Sequence, residues 1–255
     1  ATMVDDLPFT AANGWSPKNS NHEFSGPISV REAIARSSNL ASVRVLQHTG
    51  TPAARDWTGR FGLDPARQPD NLTLALGTGS ATPLQMAQAY ATIASGGVQR
   101  PISFRRVEGE VPGKRVLDEK IARALIPMME TVVTQEGTAL RAAVPGYRIA
   151  GKTGTAHKAQ SGGYAADQYM SLFVGMAPAS KPRVVTAVVI DNPRKGGYYG
   201  GLAAAPVFAR AMADTLRLMN VEPDRSAERL AEQHRLPHPS TWQRPVAAHA
   251  PGREG

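Results

Sequence analysis

The sequence predicts a mixed fold of the α/β class in its α+β form, in which helices and strands occupy different parts of the chain. Helix-start signals and amphipathic patterns fill the residues before Gly137, whereas strand patterns dominate residues 147–191. Segregation of this kind is typical of α+β domains. With 255 residues, of which 42% are hydrophobic, the chain can bury a core of its own.

Local signals predict four helices before residue 97. Ser29 opens a capping box with the glutamate three residues later, so one helix should begin there. A second helix is expected over residues 40–48, before a glycine that can end it. Residues 51–52 and 82–83 each place a threonine before a proline, which is typical of a helix start, and Gln85 completes a second capping box.

The clearest amphipathic helix is predicted over residues 118–136. Its apolar residues recur at spacings of three and four, so they share one face, and Pro127 is a candidate kink. The residues on that face are Ile121, Ala124, Leu125, Met128, Met129, Val132 and Val133. Methionines in this pattern are most simply core filler.

Three strands and a last helix are predicted in the second half. The strands cover residues 147–155, 169–177 and 183–191, and the third is an almost continuous apolar run. A long helix is expected over residues 203–219. The tail from residue 223 is expected to be partly disordered, because prolines recur near its end.

Composition excludes several classes of site. A formal charge of +8 favours anionic surroundings, but the basic residues are scattered and form no stripe with interleaved aromatic residues, so no nucleic-acid partner is predicted. The absence of cysteine excludes disulfides and thiol catalysis. The six histidines lack ligand spacing, so no metal and no cofactor are predicted. No apolar run is long enough for a membrane helix, so any anchor is expected to lie outside this chain.

Two short motifs carry the chemistry. Ser37-Ser38-Asn39 alone reads as helix-cap residues, and the K-T-G sequence Lys152-Thr153-Gly154 alone reads as a turn. Together, an S-x-N loop and a K-T-G strand are two thirds of the active-site signature of penicillin-recognising serine acyltransferases. The remaining third, S-x-x-K, is absent, because no serine of this sequence has lysine three positions later.

Residues 146–153 also fit the phosphate-binding pattern G-x-x-x-x-G-K-[ST], and residues 187–191 resemble an apolar strand that ends in a magnesium-binding aspartate. A P-loop needs a buried strand before the first glycine and a helix after the lysine. Here Pro145 precedes the motif and the residues after Thr153 lack a helical period. A nucleotide-binding protein is therefore kept as an alternative.

Longer segments extend the likeness, and residues 14–222 resemble the transpeptidase domain of penicillin-binding proteins. Several segments of the first half resemble the bifunctional class A synthases, whereas segments of the second half resemble the class B division transpeptidases. The class A-like segments are residues 15–19, 26–33, 75–77 and 82–90, and the class B-like segments are residues 151–156, 173–178 and 197–208. A class A β-lactamase shares the short motifs but not these segments.

The resemblance implies a penicillin-binding-protein/β-lactamase-like fold with an antiparallel sheet flanked by helices. Residues 1–222 would be the C-terminal part of the transpeptidase domain, and residues 223–255 would be a tail. Two sheet strands and the nucleophile helix would then precede residue 1. We therefore expect an uncovered apolar face that binds another chain or lowers solubility.

The resemblance also assigns roles to the motif residues. Ser37 would relay a proton to the leaving amine, Asn39 would hold the substrate amide, and Lys152 and Thr153 would bind the terminal carboxylate. Gly154 would leave room for a closely approaching backbone. The backbone amide of Thr155 would form half of an oxyanion hole. Tyr199, with its neighbour Tyr198, would line the cleft.

The implied activity is serine D,D-transpeptidation that cross-links peptidoglycan, with D-Ala-D-Ala stem peptides and β-lactams as ligands. The isolated chain is expected to be inactive, because the acylated serine is missing. Other cell-wall synthesis or division proteins would be partners, on the periplasmic side of the bacterial inner membrane. A non-catalytic penicillin- or peptidoglycan-binding module, or a sensor, is the main alternative.

Overall fold

A three-stranded antiparallel sheet forms the centre of the structure, a computed structural model that describes residues 2–160, 163–194 and 196–225. Its strands are β5 (Ala150–Gln160), β6 (Gly163–Ala177) and β7 (Val184–Asp191), in the order β5-β6-β7, so β5 and β7 are its edges. Four shorter strands form two separate pairs: β1 (Met3–Asp6) with β2 (Gly26–Ser29), and β3 (Val98–Gln99) with β4 (Lys114–Arg115).

The three predicted sheet strands are present, with shifted ends. The first begins at Ala150 instead of residue 147, because Tyr147 and Arg148 are bound elsewhere. Tyr147 Oη donates to the carbonyl oxygen of Val221 at 2.5 Å, and Arg148 forms a bidentate ion pair with Glu130 at 2.7 and 3.0 Å. The side chains just before β5 therefore anchor the start of the strand to Glu130 and to Val221.

One face of the sheet packs against the C-terminal helices, α6 (Gly200–Ala203) and α7 (Ala205–Leu218). Phe173 of β6 and Phe208 of α7 are fully buried and meet edge to face, with ring centroids 4.7 Å apart. Residues 203–219 were predicted as one helix. The structure instead divides the region at Ala204, because Pro206 lies in the first turn of α7 and a proline favours a new helix start.

The other face of the sheet is covered by α4 (Pro83–Ala94) and α5 (Glu119–Glu130). Buried Met129 of α5 packs with Met176 and Ala150 of the sheet. The capping box predicted at the start of α4 is present, with both reciprocal bonds between Thr82 and Gln85. The helix predicted over residues 118–136 ends earlier, at Glu130, and a 3-10 turn over Thr131–Val133 follows it.

The helices α1 (Val30–Arg36) and α2 (Asn39–Thr49) pack next to the β1-β2 pair and hold the first motif where they meet, and α3 (Thr51–Arg60) follows α2. Ser29 caps α1 as predicted. The predicted cap at Thr51 is wrong by one residue, because Gly50 is the N-cap of α3. Within the described ranges, no helix has the length and apolarity needed to cross a membrane. Most of the predicted tail, from residue 226 onward, lies outside the described residues.

Candidate active site

Ser37 stands at the end of α1 in the left-handed conformation, with φ 56° and ψ 46°. Its backbone N–H closes the helix by donating to the carbonyl oxygen of Ile34 at 3.2 Å. Residues other than glycine populate this region sparsely, so the surrounding structure must hold the turn in place. The turn separates α1 from α2 and leaves the Ser37 side chain half-buried beside β5.

A buried polar network holds this turn. Asp6 Oδ1 accepts from Ser38 Oγ at 2.6 Å and from Asn19 Nδ2 at 2.8 Å, and Asp6 Oδ2 accepts from the backbone of Ser25 at 3.0 Å. Asn19 Oδ1 in turn accepts from the backbone N–H of Asn39 at 2.8 Å. Asp6, Asn19 and Ser38 are all buried, so removal of one would leave unpaired polar groups in the interior.

Asn39 is the first residue of α2, and its side-chain Nδ2 donates to the carbonyl oxygen of Lys18 at 2.8 Å. That bond orients the amide group. Among the residues that the structure describes, none donates a hydrogen bond to Asn39 Oδ1. The oxygen is therefore available to accept a hydrogen bond from a ligand.

Lys152 joins the two motifs where β5 meets the Ser37 turn, and we call the surface formed by Ser37, Asn39 and residues 152–155 the groove. Its Nζ donates to Ser37 Oγ at 2.8 Å and to the carbonyl oxygen of Thr153 at 3.2 Å. An ammonium that donates to a hydroxyl leaves the hydroxyl proton free to point elsewhere. The Ser37 hydroxyl is thus placed to pass a proton between Lys152 and a group in the groove.

Burial lowers the pKa of Lys152 from 10.5 to about 8, because desolvation disfavours the charged amine. A lysine with this pKa is mostly protonated at neutral pH, yet can release its proton far more readily than an exposed lysine. The lowered pKa of Lys152 therefore lies in the range in which a lysine is effective at transferring protons near neutral pH.

The lowered pKa predicts how stability changes with pH. Between about pH 8 and 10.5 the unfolded chain binds the lysine proton and the folded chain does not, so the free energy of unfolding should rise with pH through this window. Relative to a Lys152→Met variant, the wild type should gain stability as pH rises, measured by urea unfolding. The Lys158→Met variant is the control. A difference in unfolding free energy between the wild type and Lys152→Met that stays constant across this pH window would contradict the prediction.

The rest of the K-T-G strand has different contacts at each residue. Thr153 Oγ1 lies 2.7 Å from Thr138 Oγ1, and Thr155 Oγ1 accepts from the backbone N–H of Gly200 at 3.0 Å. An added Cβ on Gly200 would stand 2.5 Å from the carbonyl oxygen of Gly154. Because Gly200 has no side chain, α6 can lie directly against β5. The Thr155 hydroxyl then anchors α6 by accepting the hydrogen bond from the Gly200 N–H.

Tyr199 lies in an aromatic cluster that we define as His157, Tyr169, Tyr198 and Tyr199. Tyr198 stacks on Tyr169 with ring centroids 3.9 Å apart, and the rings of Tyr198 and Tyr199 are 4.6 Å apart. Ser171 Oγ donates to the backbone oxygen of Tyr198, which fixes the segment to β6. Tyr199 is 43% exposed, so the cluster covers its ring only in part.

Sequence reasoning missed two positions that shape this site. Asp6 lies in a short acidic segment with no motif, and Thr138 follows a glycine in a connection between 3-10 turns. Asp6 contacts Ser38, which lies 32 positions away in the sequence, and Thr138 contacts Thr153, which lies 15 positions away. No local pattern predicts such contacts.

The nucleotide-binding alternative is wrong. Lys152 and Thr153 lie inside β5, paired with Val174 and Phe173, and the strand continues to Gln160. A P-loop requires a helix N-terminus at these two residues, whose amide groups converge on phosphate. Over the described ranges, no group of three metal-ligating side chains is present.

Comparison with known proteins gives a consistent result. A family model described as "Penicillin binding protein transpeptidase domain" matches residues 2–213. Peptidoglycan D,D-transpeptidase FtsI of Escherichia coli K12 is 46% identical over 170 residues, which are 65% of this chain and 29% of that protein. Probable peptidoglycan D,D-transpeptidase PbpC of Pseudomonas aeruginosa is 36% identical over 231 residues, which are 83% of this chain and 41% of that protein. The chain thus spans less than half the length of these relatives.

A solved structure shows the same architecture. The apo transpeptidase domain of penicillin-binding protein 3 from Burkholderia pseudomallei superimposes with a TM-score of 0.79 at 30% identity, over 88% of this chain and 74% of that one. The predicted α+β transpeptidase fold is confirmed. The FtsI relative, and a probable D,D-transpeptidase PenA of Neisseria meningitidis that is 31% identical over 230 residues, fit the class B-like resemblance.

Proposed function

The chain belongs to the penicillin-binding protein transpeptidase family, and on that premise we propose that it supplies two walls of a serine D,D-transpeptidase active site that cross-links peptidoglycan. The observation that carries the proposal is the 2.8 Å contact between Lys152 Nζ and Ser37 Oγ. It brings a cation and a hydroxyl together next to an edge strand, and we propose that this hydroxyl relays a proton. An edge strand can also bind an extended peptide by strand addition.

The groove has groups suited to a D-Ala-D-Ala stem peptide and to the β-lactams that resemble it. Lys152 and the Thr153 hydroxyl would bind the terminal carboxylate. Asn39 Oδ1 would accept from a substrate N–H, and the backbone N–H of Thr155 would donate to the developing oxyanion. Tyr199, held beside Thr155 through the Gly200 contact, would pack against the ligand.

The acylated serine is proposed to lie elsewhere in a longer protein. No serine of these 255 residues has lysine three positions later, and the matched relatives are more than twice as long as their matched segments. That serine would attack the peptide carbonyl, forming the acyl C–O bond as the C–N bond breaks. Ser37 would deliver the proton that the departing D-alanine amine requires.

A role in the bacterial envelope, on the periplasmic side of the inner membrane, follows from the proposed substrate. Cell-wall polymers are anionic, and the net charge of +8 favours such surroundings. Other cell-wall synthesis or division proteins are the proposed partners, because the class B-like segments resemble division transpeptidases.

Labelling of the complete protein with a fluorescent penicillin tests the proposed function. The wild type should become covalently labelled, and Ser37→Ala should slow acylation by about a hundredfold, which is typical for loss of a proton-transfer group. Ser42→Ala is the matched control, because the Ser42 hydroxyl donates to the backbone oxygen of Ser38, the N-cap of α2, and not to a K-T-G residue in the part of the chain that the structure describes. A wild-type protein that binds penicillin without a covalent product would instead be a non-catalytic binding module.

A further inference from the structure

A cavity of about 290 Å³, which we call the basic cleft, is lined by the end of α3 and by the β3-β4 pair. Three of its six lining residues are cations and none is acidic: Gly59, Arg60, Gln99, Lys114, Arg115 and Val116. The basic cleft shares no residue with the groove or with the aromatic cluster. We propose that it is a binding site for a phosphate group, an inference that is independent of the transpeptidase activity proposed above.

The two arginines of the basic cleft are held in place by the protein itself. Arg60 donates to Asp56 Oδ2 through Nε at 2.9 Å and through Nη2 at 2.7 Å, and its guanidinium lies over the ring of Trp57, 4.5 Å from the centroid. Arg115 Nη1 donates to two backbone carbonyl oxygens at 2.8 and 3.2 Å. Side chains that are already ordered lose less conformational entropy when a ligand binds.

Each of the three cations still has donors for a ligand. Within the part of the chain that the structure describes, Nη1 of Arg60 and both Nε and Nη2 of Arg115 have no acceptor. The exposed amine of Lys114 has no hydrogen-bond or ion-pair partner among the same described residues. The side-chain amide of Gln99 can add a further N–H donor. The basic cleft therefore offers donors from four side chains to a single anion.

Charge and size favour a phosphate group as that anion. Because Asp56 neutralises one of the three cations, the basic cleft keeps a net charge of +2. A phosphate monoester carries about −1.5 to −2 charges near neutral pH and has three strong acceptor oxygens, whereas a carboxylate has one charge and two oxygens. The planar fork of an arginine also matches two phosphate oxygens. Either a soluble phosphate compound or a lipid headgroup can supply such a group.

Titration of the complete protein with inorganic phosphate, followed by phosphorus NMR, tests the basic cleft. We expect Lys114→Gln to weaken binding about tenfold, as for loss of one hydrogen bond between charged groups. Arg60→Gln should weaken binding at least as much, because it also leaves the Asp56 carboxylate uncompensated. Lys181→Gln is the matched control: it removes the same charge from an exposed lysine outside the basic cleft, so binding should change less than twofold.

Vesicles of phosphatidylcholine with and without phosphatidic acid distinguish the two sources of phosphate. Cosedimentation that requires phosphatidic acid and is lost in Lys114→Gln would assign the basic cleft to a lipid headgroup. A Lys114→Gln defect with inorganic phosphate alone would assign it to a soluble compound. A wild type that does not bind phosphate, or equal affinities of the wild type and both cleft variants, would overturn the inference. So would an equal loss in Lys181→Gln.

Acylation by penicillin separates this inference from the proposed function. Lys114→Gln should be acylated at the wild-type rate, because Lys114 does not belong to the groove. A wild type that binds phosphate through Lys114 but is not acylated would overturn the proposed function alone. A wild type that is acylated but does not bind phosphate would overturn the inference alone.

Discussion

Lys152→Ala in the complete protein should lower the rate constant for acylation by penicillin by about 10²- to 10³-fold. The change removes the cation proposed to bind the ligand carboxylate and the donor to Ser37 Oγ. Loss of a single preorganised electrostatic group in an active site commonly has an effect of this size. The rate can be measured by gel fluorescence after timed labelling.

Lys158→Ala is the matched control for this prediction. Lys158 lies on the same strand, but its amine pairs with Asp191 at 2.8 Å instead of facing Ser37. Its replacement should leave the acylation rate within about twofold, since exposed ion pairs contribute little. If both lysine variants lose activity equally, the loss would reflect the strand's net charge and not the position of Lys152.

Gly200→Ala should destabilise the fold by about 3 kcal/mol, because the added methyl group would overlap backbone atoms that cannot easily move. The new Cβ would lie 2.4 Å from the carbonyl oxygen of Leu172 and 2.5 Å from that of Gly154. Relief requires α6 to retreat from the sheet, which would also break the bond from Gly200 N–H to Thr155 Oγ1. The free energy of unfolding in urea measures the effect.

Leu202→Ala provides the comparison for Gly200→Ala. Leu202 is in the same short helix and is 37% exposed, so its truncation should cost clearly less. If Gly200→Ala were as stable as the wild type, α6 could not pack against β5 as closely as the structure shows.

Local chemistry made much of the fold predictable. The capping signals at Ser29 and Thr82 mark real helix starts, because a hydroxyl side chain that accepts a backbone N–H acts within one turn. The apolar run of β7 identifies a strand whose half-buried side chains pack against a cluster on each face of the sheet. By contrast, β1 was not predicted, since residues 3–6 include two aspartates, which are depleted in strands.

The candidate site was predictable only where a motif marked it. The positions of Ser37 and Lys152 followed from two short patterns, and the structure places their polar atoms in contact. The residues that hold these motif side chains in place belong to no recognisable sequence motif. Asp6 fixes the Ser37 turn through Ser38 and Asn19, and Thr138 reaches Thr153, in both cases through side-chain contacts that only the folded chain creates.

A double-mutant cycle between Ser37 and Lys152 tests the central claim most directly. Acylation rate constants would be measured for the complete protein, the variants Ser37→Ala and Lys152→Ala, and the double variant. If the two side chains act as one unit across the groove, the double variant should be no slower than the slower single variant. Losses that multiply would show that the two residues act independently, and would contradict the account.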